Sequence, residues 1–467
     1  MKTRKFLPAF LLFITITTAE ARVKIDDLSL QEISVKTVEY VLNNQKSEDQ
    51  AEIYIKGEWP TQIQSTLVPV LAGVGKLIGK DEEATAFTTA AVVNSLSRLY
   101  LSNKELQQQH PFNKIPLAIQ NAVNTYERYR DGETYNFYPA KVSNGIKMRR
   151  PINMTLGKIW HGFTNIPNDS DTTSAVLTSL VYNSQINKTE FKVASEALET
   201  ISKFVDINRN PMYYNRFEKQ KKTGAFMTWL MDEKDPAMPR GYFSKPEKGV
   251  RIPFNKNDVD CVVNANILSL LAMTEKTDVA GQKEACAFLN KVIAKDQHAS
   301  CGIYYPNTFN LTYALAVAAK SGVQCITNDS NEKMIRKILA SQNAEGAWTN
   351  LGNIWEDPVL STSFALYALL HLPHNEHSED SEISRQIHSS LVYGTHYLLK
   401  NIISKNNSLY WTADNFFTAT AIARSLIMWR SKAYTNSIIS SVLLEMHKKF
   451  PELKAKNYLT LNFGQIL

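Results

Sequence analysis

Along the chain, segments with almost no charged residue alternate with segments whose charges fall on one helical face. Helices buried all round, alternating with helices that face solvent on one side, give this pattern. The uncharged segments share a spacing in which an acidic or amide residue is followed six positions later by a small polar residue and twelve later by Leu. It occurs at Asn168, Ser174, Leu180; at Asp258, Asn264, Leu270; at Asp357, Ser363, Leu369; and at Asp414, Thr420, Leu426. Weaker copies at Ala84 to Leu101 and at Asn307 to Ala319 bring the number to six. Each segment opens on a helix-capping residue; in Asp357-Pro358 the Asp serves as N-cap and Pro suits the first helical position. The amphipathic stretches between them are Lys114 to Arg130, Thr189 to Val205, Gly281 to Lys295, Asn331 to Gln342, Ser384 to Lys400 and Thr435 to Lys449. The last four starts are 49, 50 and 57 residues apart, room for one helical hairpin each. Six hairpins predict an all-α fold closed into a ring, an α/α toroid, with the starts of the buried helices lining one mouth.

Composition adds a compartment and removes some functions. With 467 residues, 44% hydrophobic and 21% charged, the chain can bury a large core. Lys2, Arg4 and Lys5 precede the uncharged run Phe6 to Ala19, and Ala19-Glu20-Ala21 offers a cleavage point. That is the layout of a signal peptide over 1–21, with an uncleaved anchor as the alternative, although the run is short of the ~20 residues that span a bilayer. The expected mature chain is a single domain, 22–467, exported to a periplasm or secreted. Loss of the leader lowers the net charge from +7 to +5, too little to suggest a nucleic-acid binder. No later segment is apolar and long enough to cross a membrane, since Pro306, Asn307 and Asn310 interrupt Ala299 to Ala319. Cys261, Cys286, Cys301 and Cys325 can form disulfides in an exported chain. Cys301 with Cys325 would bracket one helix; four free thiols are the alternative. Ser-His nucleophile, Walker, dinucleotide and HExxH motifs are all missing, and neither a cofactor nor a metal is expected.

The candidate chemistry concentrates before the buried helices. Two carboxylates two residues apart at a helix start point in different directions, so of Asp258 and Asp260 one can cap the helix while the other faces a cavity. In an apolar cavity the second would have a raised pKa and could serve as an acid. Asn264 and Asn266 lie on the same helix; Asn264 is the better cavity candidate, unless it bonds neighbouring loops. Arg424 poses the same question with a full charge. Trp355 and Trp411 are candidates to face a ligand; the alternative is packing between hairpins. The stretch 208–257 carries 11 Lys+Arg against 5 Asp+Glu and leads straight into Asp258. It reads as a solvated loop, or as a flap holding an anionic group with Arg251 and Lys256 nearest the acidic start.

Gln342-Asn343-Ala344-Glu345-Gly346-Ala347-Trp348 has the form Gln-x3-Gly-x-Trp and is followed by the buried segment beginning at Asp357. It resembles the QW repeat of the terpenoid cyclase and protein prenyltransferase superfamily. The resemblance implies a toroid and a lipid or isoprenoid ligand. Class II terpene cyclases carry an Asp-x-Asp-Asp motif whose middle carboxylic acid protonates an alkene, within aromatic walls that stabilise the carbocation. Asp169-Ser170-Asp171-Thr172-Thr173-Ser174 and Asp258-Val259-Asp260-Cys261 resemble it without the final Asp, so Asp169, Asp171, Asp258 and Asp260 are the candidate catalytic carboxylates. Prenyltransferase β subunits place Asp, Cys and His on zinc, and the Asp260-Cys261 spacing departs from theirs. A carbohydrate hydrolase or lyase, drawing on Glu345, Glu356 and Asp357, and a non-catalytic toroid that binds a glycan, lipid or protein remain open, because fold alone does not choose between them. Oligomeric state is likewise open.

Overall fold

The computed structural model describes residues 24–460 except 51, 66–80, 144, 152–164, 210–221, 240–247, 351–357, 375–381 and 420–426. The predicted start at Asp357, the candidate ring Trp355 and the candidate carboxylate Glu356, together with Thr420, Arg424 and Leu426, lie outside the described residues, as do 1–21.

The chain is mostly helical. Six helices are buried on nearly every face: α2 (Ala86–Ser102), α4 (Ser170–Asn187), α6 (Cys261–Met273), α8 (Asn310–Lys320), α10 (Val359–His371) and α12 (Lys432–Lys449). Around them run α1 (Leu30–Asn43), α3 (Ile115–Val123), α5 (Ser195–Lys203), α7 (Gln282–Ala294), α9 (Asn328–Ala340), α11 (Glu382–Lys400) and the short α13 (Ala455–Leu459). The buried helices pack in a closed circuit: α2 on α4, α4 on α6, α6 on α8, α8 on α10, α10 on α12, and α12 back on α2. In α6 alone Val262, Val263, Ile267, Leu268, Leu270 and Leu271 are buried, each worth roughly 1.5–3 kcal/mol of apolar burial. Among the described residues no helix is long and apolar enough to cross a membrane.

A repeated staple locks five of these buried helices to the loops before them. The indole N–H of Trp348 donates to the Ile338 carbonyl on α9 (2.7 Å), and its main-chain N–H donates to the Thr362 hydroxyl, the fourth residue of α10 (3.1 Å). Trp411 repeats this with the Leu398 carbonyl on α11 (2.7 Å) and Asn436 on α12 (2.8 Å). Trp59 does so with the Val41 carbonyl on α1 (2.9 Å) and Thr89 on α2 (3.4 Å). In two more hairpins the main-chain donors are Tyr135, on Thr173 (3.0 Å), and Phe226, on Asn264 (3.0 Å). Gly346 sits at φ +83°, where a Cβ would meet the Tyr393 carbonyl at 2.4 Å, so the turn into Trp348 requires glycine.

Two sequence expectations are corrected. The segment starting at Asp414 is not a buried helix: it opens the strand β3 (Asn415–Thr418), which pairs antiparallel with β4 (Ile427–Arg430). The sixth buried helix is α12, whose stretch from Thr435 had read as amphipathic, and α1 covers its outer side with Ser34 donating to the Ser440 carbonyl (2.9 Å). Strands β1 (Thr61–Ser65) and β2 (Asp81–Glu83) extend the pair to a sheet in the order β2-β1-β4-β3. The cysteines pair as Cys261–Cys301 and Cys286–Cys325, not Cys301 with Cys325. Cys261 opens α6, and Cys301 lies in the loop that gives main-chain donors to Asp260, so those two sulfurs meet.

Candidate active site

The starts of the buried helices meet around two neighbouring cavities. On the sheet side, Asp169 and Asp171 line a cavity walled by Phe137, Trp229, Tyr304, Phe417 and Trp429. Deeper in the ring, a second cavity runs past Asn266, Tyr305 and Asn310 toward Tyr182 and Arg98. Asp171, Asn266 and Tyr305 form the wall they share. Phe417 is the hub of the aromatic lining: its ring centroid lies 5.1 Å from Phe137, 5.6 Å from Trp429, 5.7 Å from Tyr305 and 5.8 Å from Tyr304. The strand at Asn415–Thr418 places it there, tied down by the Thr418 N–H on the Tyr304 carbonyl (2.9 Å).

Four buried aspartates stand at this junction, and burial raises the pKa of every one. Asp169, Asp171 and Asp260 are each pushed up to about 7, and Asp258 is raised as well. The shift therefore does not single out an acid; the hydrogen-bond partners do. Asp169 is the N-cap of α4, accepting from the Thr172 N–H (2.6 Å). Asp260 is the N-cap of α6: one oxygen accepts from Val262 and Val263 N–H (2.7 and 3.2 Å), the other from Ile303 and Tyr304 N–H (2.5 and 3.1 Å). A proton on Asp260 would find only N–H groups, which cannot accept it. Asp258 is fully enclosed and held by two hydroxyls, Thr228 (2.5 Å) and Tyr304 (2.6 Å), the latter accepting from the Trp229 indole (2.8 Å).

Asp171 differs from all of these. One oxygen accepts from the Asn266 amide (2.9 Å), the other from the Tyr305 hydroxyl, and the carboxyl borders the aromatic cavity. After burial, the neighbouring Asp169 charge is the main cause raising its pKa. A hydroxyl can turn from donor to acceptor, so the Tyr305 contact survives protonation of Asp171. A carboxyl pushed up to about 7 is partly protonated near neutral pH, and this one stands beside a wall of π-faces.

Other expected site residues are placed elsewhere. Asn264 is a staple, not a cavity residue: it receives the Phe226 N–H and donates to the Phe226 and Asp260 carbonyls (3.0 and 2.8 Å). Asn266, two residues on, faces the cavity instead. Trp411 is fully buried in its staple, so it is the inter-hairpin wedge and not a ligand-facing ring. Arg251 is buried and donates to the Pro239 carbonyl, and Lys256 pairs with Glu233 (3.8 Å); the segment carries Pro253 to the cavity, and neither cation is among the residues that line it. In the same insertion Arg209 pairs with Asp206 (3.2 Å) inside the protein, and Thr228 and Trp229 feed the site. Glu345 is exposed in the turn before Trp348. Cys261, being disulfide-bonded, has no thiolate to offer a metal. Tyr305 and Phe417 complete the site: in the sequence Tyr304-Tyr305 is an aromatic pair before the segment at Asn307, open to a ligand or to packing, whereas Phe417 carries no such signal.

No protein-family model and no curated protein matches the chain. Solved structures do. The apo form of the type II terpene cyclase MstE from Scytonema aligns with a TM-score of 0.54 at 14% identity, covering 91% of this chain and 99% of that one. The fold is that of the type II terpene cyclases. An MstE variant in complex with its substrate geranylgeranyl dihydroxybenzoate aligns with a TM-score of 0.54 at 14% identity, covering 89% and 97% of the two chains. A second variant, in complex with the product merosterolic acid A, gives 0.53 at 14% identity over 90% and 97%. At this identity the likeness is one of fold.

Proposed function

We propose that the chain is an exported α/α-toroid enzyme of six helical hairpins that cyclises an isoprenoid by protonating an alkene, with Asp171 as the acid. The observation that carries this reading is the state of Asp171: a buried carboxyl with a raised pKa, held by a reversible hydroxyl, on the wall of an aromatic cavity. In its neutral form it transfers its proton to one carbon of a bound alkene, and the positive charge develops on the other carbon. The faces of Phe137, Phe417 and Trp429 attract that charge, each contributing on the order of 1–2 kcal/mol when water is excluded. The ring closes as a second alkene attacks the cation, and loss of a proton from carbon ends the sequence; Asp171 regains its proton from water. Asn266 and Tyr305 orient the carboxyl, and Asp169 keeps its pKa high. Both Asp169 and Asp171 border the cavity, but Asp169 caps α4 through the Thr172 N–H, whereas Asp171 is held by a hydroxyl that tolerates a proton.

The likeness of fold to the type II terpene cyclases supports the same chemistry, and the two disulfides support an oxidising compartment. The experiment is incubation of the purified protein with farnesol, farnesoic acid, geranylgeraniol, geranylgeranoic acid and squalene, with products separated by gas chromatography and mass spectrometry. Cyclic isomers of unchanged mass are expected from the wild type and are lost in Asp171→Asn. Conversion unaffected by that substitution, or no conversion across the panel, counts against the reading.

A further inference from the structure

We infer that the deep cavity ends in an anion-binding site built on Arg98, which takes the singly charged head of the isoprenoid whose far end reaches Asp171. The inference rests on the reading of Asp171 given above and adds the chemical class of the head. Arg98 lines the cavity with Tyr182, Tyr313 and Asn310. Its guanidinium donates to the Tyr313 hydroxyl (2.9 Å), and among the described residues no carboxylate pairs with it. A guanidinium offers five N–H donors, and holding its charge inside a protein without a counter-charge is costly.

The surroundings deepen the imbalance. Lys320 and Lys448 share a single carboxylate, Glu445, at 3.7 Å each. Burial and the charges of Lys320, Arg98 and Lys448 hold His371 near a pKa of about 3, so it stays neutral and adds no charge of its own. Among the described residues, Arg98, Lys320 and Lys448 therefore stand against one carboxylate, Glu445, and Arg98 is the one that lines the cavity. Higher in the same cavity the side-chain amide nitrogen of Asn310, a residue only 4% exposed, has no hydrogen-bond partner. It is a donor in wait for an acceptor on a ligand.

The geometry sets the ligand's length. Phe87, beside Tyr305 at the shared wall, and Arg98 are eleven residues apart on α2, a rise of about 16 Å. Asp171 and Tyr182 stand in the same relation on α4. An extended prenyl chain with ordinary ~1.5 Å bonds covers that span in roughly three isoprene units. Among the described residues Arg98 is the cation that lines this cavity, and its fork geometry matches one carboxylate; a diphosphate would bring more charge than that guanidinium alone balances.

The test uses the purified full chain and three probes that share one chain: farnesoic acid, farnesol and farnesyl diphosphate. Binding is followed by calorimetry, with thermal unfolding as a check on folding. The wild type should bind farnesoic acid at least tenfold more tightly than farnesol. Arg98→Gln should abolish that preference while still binding farnesol, and Arg98→Lys should keep part of it. Equal affinity for acid and alcohol in the wild type overturns the inference, as does a preference that survives Arg98→Gln. Tightest binding of farnesyl diphosphate overturns the single-charge assignment. If Arg98→Gln fails to fold, Arg98→Lys and the wild-type comparison decide. Cyclisation of farnesol without the acid preference would sink the Arg98 site and leave the Asp171 reading standing; the acid preference without cyclisation of any probe would do the reverse.

Discussion

Replacing Asp260 and Asp171 by Asn, one at a time, separates a structural carboxylate from a chemical one. Asp260 serves four main-chain N–H groups, two on each oxygen. In Asp260→Asn the amide oxygen can keep one pair, but the NH2 then faces two N–H donors of the other pair. Each buried donor left without an acceptor costs about 1–3 kcal/mol, so the loss is about 4 kcal/mol. At about 2–4 °C per kcal/mol for domains of 150–250 residues, and less for a longer chain, the expected fall in Tm is roughly 5–10 °C. In Asp171→Asn the amide oxygen keeps the Asn266 donor and the NH2 donates to the Tyr305 hydroxyl, which turns to accept. That variant should unfold within about 1 kcal/mol of the wild type near pH 5 and form no cyclic product. Urea denaturation and a product assay on the same preparations give both numbers. An unchanged midpoint for Asp260→Asn, together with a collapse of Asp171→Asn, would refute this division of roles.

Three further outcomes follow from the same geometry. The Asp171 pKa of about 7 lies above its ordinary 3.8, so its contribution to stability is fully present below that ordinary value and is lost as pH rises through 7; turnover should fall above about pH 7, and Asp171→Asn should gain on the wild type in Tm between about pH 5 and pH 8. Reducing the Cys261–Cys301 and Cys286–Cys325 bridges, which close separations of 40 and 39 residues, should lower stability by about 2–5 kcal/mol for each bridge, read as a drop in Tm with dithiothreitol. Trp348→Ala, which empties a fully buried site and frees the Ile338 carbonyl, should cost about 3–5 kcal/mol, and a drop under 1 kcal/mol would count against the staple.

The helices were legible wherever their burial was apolar. In α6 and α10 the runs of Leu, Val and Ala are almost free of charge, and both emerge near their expected positions. In α12 the buried faces carry Thr435, Asn436, Ser437 and Ser440, which read as a solvent side. They can be buried because local carbonyls accept from them: the Ser440 hydroxyl donates to the Asn436 carbonyl (2.9 Å) and the Ser437 hydroxyl to the Tyr434 carbonyl (2.8 Å). The helix expected at Asp414 failed for the opposite reason. Asn415 to Thr418 is held by pairing with β4, which pairs in turn with β1 more than 300 residues earlier, and no local period reports such a contact.

The site was legible in its carboxylates and not in their roles. All four aspartates were visible, and all four meet at the junction of the buried helices. Spacing could not show that Asp260 is enclosed by main-chain donors supplied by Ile303 and Tyr304, or that Tyr305 crosses to Asp171 from another hairpin. Arg98 stands out only once the structure leaves it without a carboxylate.

The central claim, that Asp171 starts a cyclisation by giving up a proton, is tested most directly in D2O. A purified sample exchanged into D2O and given the unlabelled prenyl probe it converts should yield a cyclic product one mass unit heavier, with deuterium at the carbon that was protonated. Asp171→Asn should yield none. Cyclic product without deuterium, or labelled product formed equally by the variant, would contradict the account.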